Sequence, residues 1–145
     1  MKTTIDQISV FVENKPGKLS EILSLLGGAG IDLRAMSIAD TADFGILRII
    51  VDDPESCVAI LREADCIVSI TKVLAVCIPD TPGALSGVLQ ILAAAGQGIE
   101  YLYAFITRRT SDAYVVLRPE DIDLAAKALM DRGIRLATSE ELYAL

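Results

Sequence analysis

Two consecutive βαββαβ units, each an antiparallel four-stranded sheet with both helices on one face, are predicted by three observations. Asn14-Lys15-Pro16-Gly17-Lys18-Leu19-Ser20 returns 66 residues later as Asp80-Thr81-Pro82-Gly83-Ala84-Leu85-Ser86. The apolar residues that follow keep the same register: Leu19, Ile22, Leu23 and Leu26 match Leu85, Val88, Leu89 and Leu92, each set spaced as one face of a helix. Between the helical stretches lie alternating or β-branched runs that read as strands. The class is α+β, and the domains are residues 1–71 and 72–145.

The elements follow in order. Strands are expected near 5–12, 32–39, 45–51 and 66–71 in the first copy, and near 73–79, 99–107, 113–118 and 134–137 in the second. Pro16 and Pro82 are placed in the first helical turn, where the missing N–H costs nothing. Gly27-Gly28-Ala29-Gly30 and Gly96-Gln97-Gly98 end those helices, glycine supplying left-handed caps. Beyond them the register becomes 68, so that Ile31-Asp32-Leu33 matches Ile99-Glu100-Tyr101. The second helices each keep an apolar face, at Cys57, Ile60, Leu61 and Ala64 and at Ile122, Ala125, Ala126 and Leu129, with Asp121 and Asp123 near the latter's start. Polar hairpin turns fall at Asp40-Thr41-Ala42-Asp43 and Arg109-Thr110-Ser111-Asp112. Right-handed crossovers then give the ferredoxin-like plait, with strand order 4-1-3-2. Residues 66–78 contain no Gly or Pro, so the junction is short and the copies are expected to pack as a pseudo-twofold pair.

Composition narrows the function. The net charge of −7 disfavours nucleic acid, and the doublet Arg108-Arg109 is too small to reverse it. Mean hydropathy is +0.49, yet no apolar run approaches the ~20 residues of a spanning helix. No apolar signal region follows Lys2, and the expectation is a cytoplasmic protein without membrane contact. There is no histidine, which removes the commonest general base and metal ligand. Cys57, Cys66 and Cys77 form no CxxC pair, and Cys57 and Cys77 lie among apolar neighbours in the sequence. No catalytic residue, metal site or cofactor is therefore expected.

The Asn/Asp-x-Pro-Gly-x-Leu loop, the apolar helix ending in glycine, and then Ile-Asp-Leu or Ile-Glu-Tyr resemble the ACT domain, twice over and across nearly the whole chain. That family is the regulatory module attached to many enzymes of amino-acid metabolism. The resemblance implies a non-catalytic protein that binds an amino acid or similar small ligand between the copies and signals it to itself or to a partner enzyme. The physics of the loop agrees, because a helix N-terminus offers N–H donors and positive dipole to a carboxylate. The donors would be the amides of Gly17, Lys18 and Leu19, with Asn14 capping the helix or bonding the ligand beside Lys15. Asp32 stands where relatives place a polar ligand contact, and its charge suits an ammonium group.

In the second copy the corresponding candidates are Asp80, Gly83, Ala84, Leu85 and Glu100. Two acids there would repel a carboxylate unless they pair with lysine or arginine. Tyr101, Tyr103 and Phe105 alternate along one strand face, as core or interface in one reading and as an aromatic pocket in the other. The Pro-Gly loops are equally well read as plain strand-to-helix turns. On that reading the chain is an assembly subunit; the resemblance also admits a transcription regulator that acts through a protein partner, as some tandem ACT proteins do. The uncovered sheet faces and 52% hydrophobic content predict a homodimer or larger assembly.

Overall fold

The computed structural model describes residues 3–40, 43–105 and 111–145. Its strands are β1 (Thr4–Glu13), β2 (Leu33–Asp40), β3 (Phe44–Val51), β4 (Val68–Pro79), β5 (Ile99–Ala104), β6 (Asp112–Pro119) and β7 (Arg135–Leu136). Its helices are α1 (Lys18–Gly28), α2 (Pro54–Glu63), α3 (Ala84–Ala94), α4 (Ile122–Asp131) and α5 (Ser139–Tyr143). The chain divides into two compact units inside β4. One is Asp6–Thr71; the other begins at Lys72 and includes the chain's start through Ile5.

In the first unit the strand order is β4-β1-β3-β2, the expected 4-1-3-2 arrangement. β1 and β3 pair antiparallel from Ile8 opposite Ile49 to Glu13 opposite Phe44, and the Phe11 amide donates to the Ile67 carbonyl at 3.0 Å. Because side chains alternate across a strand, Ile8, Val10 and Val12 share one face with Leu47, Ile49 and Val51. That face meets Leu26 of α1 and Cys57, Val58 and Leu61 of α2 to form the buried core. Phe11 and Phe44 have the opposite parity and stay out of this core.

The second unit repeats the plan as β7-β4-β6-β5. Leu74, Val76 and Ile78 of β4 and Val115 and Leu117 of β6 pack against Val88 and Leu92 of α3 and against Ala125, Ala126 and Leu129 of α4.

All four principal helices end in one hydrogen-bonding pattern. In α1 the Ile31 amide reaches back to Leu26 at 3.0 Å and Gly30 to Gly27 at 3.0 Å. Cys66 to Leu61, Gln97 to Leu92 and Ile134 to Leu129 repeat the longer bond in the other three. This motif requires a left-handed residue after the helix. Gly30, Gly96 and Gly133 supply it with φ of 77, 73 and 77°, and Asp65 does so with φ 63°.

Four sequence expectations change. The strands placed at 66–71 and 73–79 are one strand, β4, because nothing between them breaks the chain. The last strand is only two residues long and leads into α5, which the strand pattern did not anticipate. Thr138 caps α5 by accepting from the Glu141 amide at 3.2 Å, a Thr-x-x-Glu capping signal present in the sequence. The prolines precede their helices, which start at Lys18 and Ala84. Asn14 does not cap α1; the cap position is Gly17, without a side-chain hydrogen bond. The hairpin turns at 40–43 and 109–112 include Thr41, Ala42, Arg109 and Thr110, which lie outside the described residues, as do Arg108 and the end of the strand drawn to 107.

Candidate functional site

Each Pro-Gly loop is a type II β-turn joined to a helix. The Lys18 amide donates to the Lys15 carbonyl at 3.2 Å, and Gly17 between them has φ 88° and ψ −15°. Proline presets φ at the first central position, and the second needs a left-handed residue, hence Pro-Gly. In the second copy the Ala84 amide donates to the Thr81 carbonyl at 3.2 Å, and Gly83 has φ 86° and ψ −9°. A Cβ built on either glycine would meet nothing within 4 Å, so space is open over both turns. Strain alone therefore opposes a larger residue there.

The turn bond engages one of the three donors assigned to an anion, the Lys18 amide. Asn14 is fixed by its own amide, which donates to the Asp43 carbonyl at 3.0 Å; the Asp80 amide matches it by donating to Ser111 at 3.3 Å. Lys15 leans on Glu13, its Nζ 2.9 Å from a carboxylate oxygen, and holds the Glu13 carboxyl below its ordinary pKa. Lys18 Nζ lies 3.8 Å from Glu21. Leu19, Ala84 and Leu85 turn their side chains onto the cores. They have only backbone to offer a ligand.

Asp32 and Glu100 are not brought to these turns. β1 ends at the turn with Glu13 opposite Phe44, whereas β2 begins at Leu33 opposite Val51, the far end of the same sheet. The 11 residues of α1 separate the two ends, roughly 16 Å at 1.5 Å per residue. Within one copy, Gly17 and Asp32 cannot hold the same small ligand, and by the same register neither can Gly83 and Glu100. Asp32 donates its amide to Asp52 at 3.1 Å, and its carboxylate lies 3.4 Å from Arg34 Nε. Glu100 lies 3.5 Å from Arg118 Nε, so arginine does meet the second copy's acid.

Tyr103 and Phe105 are buried, and the Phe105 ring lies 6.4 Å from that of Tyr114. Tyr101 is half-buried, and none of the three belongs to the apolar cluster beneath α3 and α4. Cys57 is buried in the first core, and burial pushes its thiol up to about 11. Cys77 departs from the apolar setting expected of it. Its sulfur accepts from Arg135 at 2.8 Å and lies 3.7 Å from an Asp112 oxygen, while the same arginine binds both oxygens of Glu141. Among the described residues, no three His, Cys, Asp or Glu side chains are grouped to hold a metal ion.

Sequence reasoning missed a cavity of about 660 Å³ in the first unit, lined by Phe11, Phe44, Leu25, Ile67, Lys18 and Asp65 among others. Lys18 is the one candidate loop residue on its wall. The off-core parity of Phe11 on β1 was the available signal.

A duplicated ferredoxin-like plait hosts many functions, so the class of protein is decided by family membership. The family model described as an ACT domain pair matches residues 3–145, and the chain belongs to that family. It is similar over 99% of its length to a Bacteroides thetaiotaomicron protein of known crystal structure, at 40% identity and a TM-score of 0.92, covering 98% of that chain. The regulatory subunit of aspartate kinase from Thermus thermophilus, in its ligand-free form, shares the fold at 16% identity and a TM-score of 0.62. That match covers 88% of this chain and 92% of the subunit. The corresponding subunit from Thermus flavus also scores 0.62 at 16% identity, over 90% and 93% of the two chains. No curated protein sequence matches the chain.

Proposed function

We propose that this protein binds an amino acid or similar small ligand and conveys its presence to an enzyme of amino-acid metabolism, working as a cytoplasmic homodimer. The observation that carries this reading is the pair of Pro-Gly turns, which keep one backbone geometry at two helix N-termini under open space. Such termini suit a carboxylate. Similarity in fold to a regulatory subunit of aspartate kinase supports an enzyme as the partner.

The test is a melt of the purified protein with each of the twenty amino acids. A ligand specific for the folded state adds about 2.7 kcal/mol at a hundredfold excess over Kd. For a chain of this size that is on the order of 5–10 °C. One or a few amino acids should give such a shift, larger than that of their decarboxylated analogues at the same concentration. A flat panel together with calorimetry that detects no heat would remove the sensor reading.

A second reading, an assembly subunit, is favoured by Phe11, Phe44, Ile67 and Ile70, all of which stand exposed. Under that reading light scattering reports an oligomer whose formation ignores every amino acid in the panel.

A further inference from the structure

The duplication provides an internal control for the cavity of the first unit. The two registers put Cys77 where the first copy has Phe11, Asp112 for Phe44, Gly133 for Asp65 and Arg135 for Ile67. Backbone pairing agrees, since Phe11 bonds Ile67 and Cys77 pairs with Arg135. In the second copy this place holds a cation of the protein's own. The Arg135 guanidinium lies 2.8 Å from Cys77 and 2.6 Å from Glu141, and an Asp112 oxygen lies 3.7 Å from the sulfur.

In the first copy the arginine is replaced by Ile67, 72% exposed, and the space is open. Phe11 and Phe44 meet edge to face at 5.8 Å and remain about half exposed, at 50% and 47%. Asp65 also lines the cavity, and among the described residues no cation pairs with its carboxylate. Of the other two acids on the wall, Glu13 is held by Lys15 and Glu21 faces Lys18. Asp65 is moreover the one non-glycine among the described residues with positive φ, where Gly133 serves the second copy without strain. Helix termination thus does not require the carboxylate.

We propose that this cavity binds a small organic cation, an ammonium or guanidinium group on an apolar stem. The head lies against Asp65, and the stem lies over Phe11, Phe44 and Leu25. Aromatic faces and an unpaired carboxylate both favour positive charge. The volume falls in the range of small-molecule sites, ~300–1,000 Å³. This site and ligand class are separate from the amino-acid reading of the Pro-Gly turns, and neither depends on the other.

The experiment titrates the full chain with 2-phenylethylammonium chloride at low salt and follows backbone amides by NMR. The anion 3-phenylpropionate, of similar size, is the control. The amine should shift the amides of Phe11, Leu25 and residues 65–67, and the anion should leave them still. Asp65→Gly adopts the second copy's residue, so the fold persists, and it should weaken amine binding at least tenfold. Ile67→Arg supplies the second copy's internal cation and should abolish binding. Equal binding of the anion, no shift of these amides at millimolar amine, or unchanged affinity in both variants would overturn the proposal. Melts repeated on Asp65→Gly separate the two readings: an amino-acid shift at the turns persists there, whereas a shift caused by an amine in the cavity is reduced.

Discussion

At Gly17 and Gly83 the two copies agree within a few degrees in φ and ψ, yet at four other positions they carry unrelated side chains. Phe11, Phe44, Asp65 and Ile67 face Cys77, Asp112, Gly133 and Arg135 across the duplication. The difference separates two kinds of constraint. A type II turn is set by backbone chemistry, and few residues other than proline and glycine satisfy both of its central positions. The strand positions need only keep their alternation, so an aromatic pair and a thiol–guanidinium cluster occupy the same register. Where one copy keeps a cavity, the other has Arg135 bound to Glu141 of the added helix α5.

The largest effects should come where the copies agree. Leu61 and Leu129 are equivalent, fully buried, and each accepts the long hydrogen bond at its helix end. Leu61→Ala and Leu129→Ala should each cost about 2–5 kcal/mol in urea denaturation followed by circular dichroism. A mild effect at only one of them would break the equivalence of the cores. Gly17→Ala and Gly83→Ala should each cost about 1–2 kcal/mol, because both glycines have φ near 87° and strain alone opposes a side chain. Unequal losses would show that the turns differ in more than sequence.

Smaller effects should come where the copies differ, and with opposite signs. Asp65→Gly relieves a left-handed residue and should stabilise by about 0.5–1 kcal/mol, while Gly133→Asp should destabilise by a similar amount. Thermal melts of the two variants measure both, and two changes of the same sign would contradict the strain argument.

The last prediction concerns the alkaline limb of the stability curve. Burial first, then its neighbours Cys77 and Glu141, push the Tyr114 hydroxyl up to about 12 from its ordinary 10. The neutral phenol is thus favoured in the folded state. Its contribution is complete below pH 10 and is lost as pH rises through 12. Tyr114→Phe should flatten the fall in stability between those values. Ile46 occupies the matching position in the first copy, where Ile46→Val should leave that limb unchanged.

Most of the fold was legible because the duplication let each half check the other. Pro-Gly spacing, the paired helical faces and the glycine ends located α1 and α3, and alternation located β1, β3 and β6. The proline's place was misread because Pro at a helix start and Pro at the first central position of a type II turn look alike in sequence. Only the Lys18–Lys15 and Ala84–Thr81 bonds distinguish them. The helix α5 was hidden because its signal, Thr138 with Glu141, is short and follows a two-residue strand.

The candidate site was less legible. Asp32 follows Gly17 closely in the sequence, but the run of α1 carries the chain to the other end of the sheet. Proximity in sequence concealed separation in space. The cavity was invisible for the converse reason, since its walls come from β1, α1, β3 and the end of α2, segments that share no motif.

β4 has a consequence for how this chain tolerates insertion and deletion. Its residues 68–79 form one uninterrupted strand, pairing with β1 and, from Leu74 onward, with β6. A loop absorbs an extra residue by bulging, but a strand has a period of two, and one added residue reverses the facing of everything beyond it. A residue inserted between Leu74 and Val76 would leave Leu74 in the second core and turn Val76 and Ile78 out of it, or the reverse. The loops of this chain can change length by any number of residues, but the paired part of this strand only in steps of two.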